Sequence, residues 1–426
     1  MMRRTAIRFV RAQARNERPV ISASPLPSVD PAKHSLWFLA ILSLLMGFGS
    51  ISTDLYLPAM PAMKLALHAK PGAIELTISG YLMGFSLGQL AWGPISDRYG
   101  RRIPIALGLM LFVLGSAGCA LSTSASLLIG CRIVQALGAC ASVVLARAMV
   151  RDLYSGSRAA SMLSTLMMVM AIAPLLGPIV GGQILLIGSW RAIFWVLVGI
   201  GLATLAALFT LPETLPQSKR IREPLARAMA SYFSFLGNRR LVAYVGTGGF
   251  FYGGLFAYVA GSPFAYITFH HLSPQLYAVT FAVGAGGIMA TNLVNARLVR
   301  RLSSDRLLRM GTGAAAIAAI AVAIGAYGGY GGFIGLALPV FLFTSMTGFI
   351  VANSIVGALA DFSQRAGAVS ALIGATQYGS GVAGSALVGA FADGTPWSMG
   401  WVIALAGVGS ALSASLLRNP QLEFLQ

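Results

Sequence analysis

Asp54 is the residue whose chemistry most needs explaining. It closes an apolar run that begins near Leu36, within Thr53-Asp54-Leu55-Tyr56-Leu57-Pro58-Ala59-Met60-Pro61. Its carboxyl therefore falls inside, or at the lip of, a segment long enough to cross a bilayer. A carboxylate there is costly, and acids so placed usually face a polar cavity and mark an ion or proton path. No other Asp or Glu lies so far inside an apolar run. Arg132 is the matching cation. Arg132, Gln135, Ala139 and Ser142 lie three or four residues apart, on one face of a helix. Counting back at 1.5 Å per residue puts Arg132 about 9 Å below the outer surface, within roughly a turn of Asp54 in depth. The spacing leaves two partners open: Asp54, reached directly or through water or Gln135, or backbone carbonyls that hold the guanidinium as an anchor. In the first case desolvation favours the neutral acid and the guanidinium favours the carboxylate. A motion that changed their separation would then change proton affinity.

Three further groups of residues carry a signal. Gly93-Pro-Ile-Ser-Asp97-Arg98-Tyr-Gly100-Arg101-Arg102 is a compact polar connection. Gly93 and Gly100 permit tight turning, and Asp97 among Arg98, Arg101 and Arg102 can cap helix ends and pair across the molecule, a cytoplasmic gate. Scattered, the same charges would read as a solvated loop. Pro174, Gly177, Pro178, Gly181 and Gly182 remove side chains and one helical hydrogen bond, which predicts a kink and close approach to a helix of the other half. Met46, Tyr56, Gln135, Met168, Phe251, Tyr258 and Gln377 are candidates for an adaptable apolar cavity. For any one of them, contact with lipid or a neighbouring helix is the plainer reading. Glu75 reads as interfacial. His270-His271 lacks the carboxylates a metal site would want, and no metal is expected. Cys119, Cys131 and Cys140 lie in apolar spans without ligand spacing and read as small buried side chains. No P-loop, nucleophile elbow or zinc motif occurs, so neither ATP drive, a cofactor nor enzyme chemistry is expected.

The elements that must position these residues are membrane helices. The 426 residues are 57% hydrophobic and 10% charged, against about 25% charged in soluble domains, and the mean hydropathy is +0.77. Apolar runs near the 20 residues needed to span a bilayer recur twelve times, at about 36–57, 73–95, 103–122, 126–149, 160–186, 191–211, 241–268, 274–299, 307–328, 331–359, 367–391 and 397–417. The fold class expected is all-α, with twelve transmembrane helices in two pseudo-symmetric six-helix bundles. Its parts are a basic tail at 1–34, bundles at 35–211 and 241–418, a linker at 212–240 and a short C-terminus at 419–426. Charge tests the count. With the N-terminus in the cytoplasm, 26 of the 30 Lys and Arg residues fall on the cytoplasmic side, and only Lys64, Lys70 and Arg191 lie outside. Such asymmetry is the positive-inside rule. It explains the net charge of +18 without nucleic acid. The Arg-rich tail has no apolar signal core and reads as a cytoplasmic extension or, alternatively, an organellar transit peptide. Weakly repeated halves place a site between them, with access alternating as one rocks against the other.

These residues also carry a resemblance. Residues 93–102 resemble the signature loop of the major facilitator superfamily, and Arg132-x-x-Gln135-x-x-Gly138 resembles its fourth-helix motif. Ala173-Pro174-Leu-Leu-Gly177-Pro178-Ile-Val-Gly181-Gly182 resembles the fifth-helix motif of its antiporters. Residues 53–61, Ala146-Arg147-Ala-Met-Val-Arg151-Asp152 and Ser262-Pro263-Phe264 are similar to the bicyclomycin-resistance/chloramphenicol-exporter branch of drug:proton antiporters. The resemblance covers about 35–418 and is sharper in the first half. It implies a monomer in a bacterial inner membrane, with both termini cytoplasmic, that exports small hydrophobic drugs against protons. Asp54 would be the protonation site, Arg132 its partner and 93–102 the gate. Other readings are an exporter or importer of a metabolite on the same fold, with the Gly-Pro-rich fifth helix arguing against import, and a polytopic receptor or enzyme, for which no reactive constellation is present.

Overall fold

A computed structural model describes residues 35–220, 235–362 and 365–417. The basic tail, most of the proposed linker and the C-terminal residues lie outside these. From Ala40 onward the chain forms one unit, within which everything below lies; the described part of the unit before it is the opening of the first helix, Ser35–Leu39. In chain order the helices are α1 Ser35–Asp54, α2 Met60–Ala66, α3 Leu76–Tyr99, α4 Arg102–Leu121, α5 Ala125–Leu153, α6 Gly156–Ile187, α7 Trp190–Leu208, α8 Arg239–Pro263, α9 Pro274–Leu298, α10 Ser304–Gly328, α11 Gly332–Ser345, α12 Thr347–Leu359, α13 Ala366–Ala390 and α14 Trp397–Ser415. No strand occurs among the described residues.

Helices occupy all twelve expected spans, and the fold is all-α. The tenth span is α11 and α12, nicked at Met346, and the seventh ends in a π-helical turn, Phe264–Phe269. Ten helical stretches are long and apolar enough to cross a membrane. The two that fall short are α3 and α13. Both carry hydroxyls and amides, including Thr77, Ser79, Ser86 and Gln89 on α3 and Thr376, Gln377, Ser380 and Ser385 on α13. They pack on each other, so these groups need not face lipid.

In the first bundle α3 and α4 pack on α5, and α7 on α4; in the second α8 packs on α13 and α14, and α10 on α11 and α14. Close approach depends on glycine. A methyl at Gly138 would collide with the Gly108 carbonyl and Phe112, and one at Gly384 with the Gly253 carbonyl. The bundles are joined by α3 against α13 and by α6 against α9. Along the first seam Gly72 abuts Gly389 backbone to backbone, Ser79 and Ser385 hydroxyls lie 2.8 Å apart, and Ser86 Oγ donates to the Ala375 carbonyl at 2.8 Å. The second seam holds Gln275 Nε2 donating to the Gly182 carbonyl at 3.3 Å. Gly72, Gly389, Gly182 and Gln275 all lie at one end of their helices, opposite the end that carries Arg101.

Candidate functional site

Asp54 is the last residue of α1, 6% exposed. The helix stops here because Pro58 and Pro61 follow, each at the start of the next short helical turn. The α6 backbone then passes unusually close. A methyl on Gly177 would sit 2.9 Å from Asp54 Cβ, and one on Gly181 would overlap the Leu55 carbonyl. These glycines therefore seat the acid-bearing turn of their own bundle. The expected approach to a helix of the other half is made on the same helix by Gly182, facing Pro274 and Gln275 where α6 packs on α9. The helix α6 runs unbroken through Pro174 and Pro178.

Arg132 is fully buried. One terminal nitrogen, Nη1, donates to the Ser52 carbonyl at 2.8 Å and to Gln135 Oε1 at 2.6 Å. The guanidinium carbon lies 4.3 Å from the ring centres of both Tyr56 and Tyr81. Gln135 Nε2 donates to Ser116 Oγ at 2.7 Å, which fixes the amide. The ion pairs among the described residues are Arg101 with Asp97 and Asp152, and Arg240 with Asp305 and Asp361. Direct pairing of Arg132 with Asp54 is therefore corrected. A carbonyl, an amide and two aromatic faces hold the cation, which is the anchoring alternative. Nη1 alone is hydrogen-bonded, while Nε and Nη2 are buried without a hydrogen-bond partner among the described residues and face the two rings. Each ring face contributes up to about 2 kcal/mol when water is excluded, and a hydrogen bond to a charged group about 1.5–3.

Asp54 instead opens onto a cavity of about 300 Å³ between the bundles. Its wall is apolar and aromatic: Phe85, Met167, Met170 and Pro174 from the first bundle meet Tyr252, Phe256, Tyr258, Phe281 and Tyr378 from the second. Phe85 and Tyr378 rings, 4.4 Å apart, close one side. Tyr81 belongs to both arrangements, lining the cavity while stacking on Arg132.

Of the residues expected at the cavity, Tyr258 lines it. Tyr56 and Gln135 are consumed in holding Arg132. Met46 and Phe251 are fully buried elsewhere, Phe251 against Phe343. Gln377 lies beside Gly248. Met168 is 61% exposed, turned away, while Met167 and Met170 face inward. Tyr378, Met167 and Met170, which the sequence also offers as cavity residues, do line it, whereas Tyr81 and Phe85 were missed. Their signal was an aromatic recurring on α3 at Tyr81 and Phe85, one turn apart.

The loop of 93–102 is a closed cluster. Arg101, with 8% of its side chain exposed, bonds Asp97 at 2.6 Å, Ser96 Oγ at 2.6 Å and Asp152 at 2.7 and 3.2 Å. Burial opposes that charge, but the bonds to Asp152 and Asp97 hold the guanidinium above the usual arginine range. Glu213 accepts from the Arg101 and Arg102 backbone amides at 2.8 and 3.1 Å, an anion at the start of α4. Gly100 has φ +93°, and a methyl there would strike Glu213 Oε2. Arg102 reaches the Phe209 carbonyl, Arg98 lies over the Tyr99 ring, and Gly93 has open space around it. Every bond of this loop among the described residues stays at or before residue 213, within the first bundle.

Comparison with known proteins agrees with this architecture. The sequence profile of the Major Facilitator Superfamily matches residues 36–385. The chain is 34% identical to the uncharacterized MFS-type transporter YdgK of Bacillus subtilis, over 80% of this chain and 86% of that one. It is 30% identical to a chloramphenicol resistance protein of Pseudomonas aeruginosa over 76% of each, and 28% identical to a bicyclomycin resistance protein homolog of Haemophilus influenzae over 90% and 96%. Among solved structures, a bacterial homolog of the human lysosomal transporter Spinster superposes with a TM-score of 0.71 at 15% identity, covering 90% of this chain and 98% of that one.

Proposed function

Because the chain belongs to the major facilitator superfamily, we propose that it exports small, largely hydrophobic compounds, antibiotics among them, in exchange for protons. One observation carries the reading. Asp54 is the one carboxyl on the wall of a mostly apolar and aromatic cavity whose other polar groups are hydroxyls, and among the described residues no ion pair holds it. The printed names of the relatives, which include chloramphenicol resistance and multidrug resistance proteins, support it.

The residues suggest how the exchange works. A carboxyl facing a dry cavity favours its neutral form, and one reached by water favours its anion. A hydrophobic guest in the cavity dries the same wall that Asp54 occupies. Guest and water thus act on one acid, and the proton leaves where water reaches it. The fixed cation of Arg132, bonded to the Ser52 carbonyl two residues away, makes the anion accessible without locking it in a pair. Any rocking of α6 against α1 acts at Asp54 directly, because Gly177 and Gly181 bring the two backbones together there.

The distribution of Lys and Arg supports cytoplasmic termini, and the bacterial relatives support an inner-membrane location. The sealed Gly72 end is then external, and the cavity faces inward, positioned to take substrate from the cell. We take the first bundle to end near 211 and the second to begin near 241. The gradient of protons is the energy source, and one chain is the working unit.

The test is expression in an efflux-deficient bacterium, with tolerance scored against a panel of unrelated drugs and against a protonophore. In inverted vesicles, adding a transported drug should release protons with the native chain and not with Asp54→Asn. Unchanged drug-driven proton movement in that variant would falsify the reading.

A further inference from the structure

A second buried acid, with no part in that exchange, sits where the bundles meet at the Gly72 end. Glu75 immediately precedes α3, is 4% exposed, and has a buried Oε2 without a hydrogen-bond partner. It lines a narrow space of about 40 Å³ walled by both bundles, Lys64 and Pro71 from the first and Gly261, Phe264, Val388 and Met399 from the second, with Gly394 and Thr395 at its exposed rim. The seam beside it is tight, with Gly72 against Gly389 and Ser79 bonded to Ser385. Lys64 and Glu75 are the only titratable groups lining the space. The Lys64 ammonium lies over the Phe264 ring at 5.4 Å and makes no ion pair with Glu75. Asp393, on the loop after α13, is exposed and accepts from Thr395; His68 and Lys70 are exposed as well.

So small a space holds a water or two, too few to hydrate a carboxylate. With the seam shut, an anion here would keep one oxygen unsatisfied in a dry joint, whereas the neutral acid carries no such cost. With the seam open, water reaches the group and the anion is tolerated. The shut seam therefore takes up a proton that the open seam releases, and by linkage proton uptake shuts the seam.

We propose that Glu75 is a second proton-binding site, separate from Asp54, whose proton latches the two bundles together at the Gly72 end. It rests on the two-bundle architecture rather than on the drug-export reading. If that reading also holds, acid outside the cell closes the external end once substrate has left.

The test reads distance, not transport. Spin labels on Lys70→Cys and Phe391→Cys, exposed on either side of the seam, are placed in a chain whose Cys119, Cys131 and Cys140 are replaced by alanine. Pulsed EPR in lipid nanodiscs without substrate follows the separated population from pH 5 to pH 9. In the native background that population should rise with pH, the shut-to-open ratio changing about tenfold per unit of difference in proton affinity between the two states. Glu75→Gln should stay shut at every pH. Lys64→Met, which removes the one nearby cation, should move the transition to higher pH, and it decides the matter if Glu75→Gln does not fold. Asp54→Asn should leave a transition in place, and Glu75→Gln and Lys64→Met are read in that background, because the first acid acts on the same equilibrium. A native chain that does not respond, a response surviving Glu75→Gln, an unmoved transition in Lys64→Met, or one abolished by Asp54→Asn each overturns the proposal. Failed drug transport would leave these distances untouched, so the two proposals fail separately.

Discussion

Arg132 and Arg101 are both buried arginines, and they are satisfied in opposite ways. Arg101, at the end of the membrane segment, is bonded by Asp97 and Asp152. Arg132, deep in the bundle, is held by a carbonyl, an amide and two tyrosine rings. The difference lies in what each charge leaves free. Around Arg101 the acids are used up in holding the loop together. Around Arg132 neutral groups carry the structural load, and the one acid nearby, Asp54, remains available to gain and lose a proton. A third arginine extends the comparison. Arg240, at the matching end of the second bundle, is 54% exposed and lies 4.0 and 3.7 Å from Asp305 and Asp361.

The contrast can be broken most severely at Arg132. Arg132→Ala strands the Ser52 carbonyl and Gln135 in a dry core, at about 1–3 kcal/mol for each buried group left unsatisfied. It should appear as a large fall in thermal stability in detergent. Arg132→Lys should recover only part of it, because an ammonium cannot stack between two rings as a plane does. Asp54→Asn should leave the melting temperature nearly unchanged, since no structural bond is lost, while proton release on drug addition disappears. Equal destabilisation by Asp54→Asn and Arg132→Ala would show that the acid is structural after all. Arg101→Ala should come next, at about 1–3 kcal/mol, because it leaves Asp152 partly buried without its donor. Arg240→Ala should be smallest, about 0–1 kcal/mol, as for other exposed ion pairs. If Arg240→Ala proved as damaging as Arg101→Ala, the two ends would be equivalent despite their geometry.

Some of this was readable before any coordinates. The twelve spans follow from apolar run length, and an expected sidedness from where Lys and Arg fall. Asp54 stands out because a carboxylate inside an apolar run is rare enough to need a reason. The glycines at 177, 181 and 182 announced close packing, though not its partner. Helix phase was harder. Met167 and Met170 face the cavity and Met168 does not, yet all lie in a helix apolar on every side, where composition marks no inward face. Gln377 and Tyr378 divide in the same way, Tyr378 lining the cavity and Gln377 lying beside Gly248.

The chain's linear order settles whatever depends on one residue meeting one solvent. Lipid rejects charge, so span number, orientation and the oddity of Asp54 are written locally. What Arg132 touches is a different kind of question, because its ligands come from residues 52, 56, 81 and 135, on three different helices or their ends. Only packing decides which of several adequate partners comes within reach. The same holds for Glu75, an ordinary interfacial acid in sequence that becomes a buried one when the second bundle closes over it. Solvent preference is a property of each residue; contact is a property of the fold.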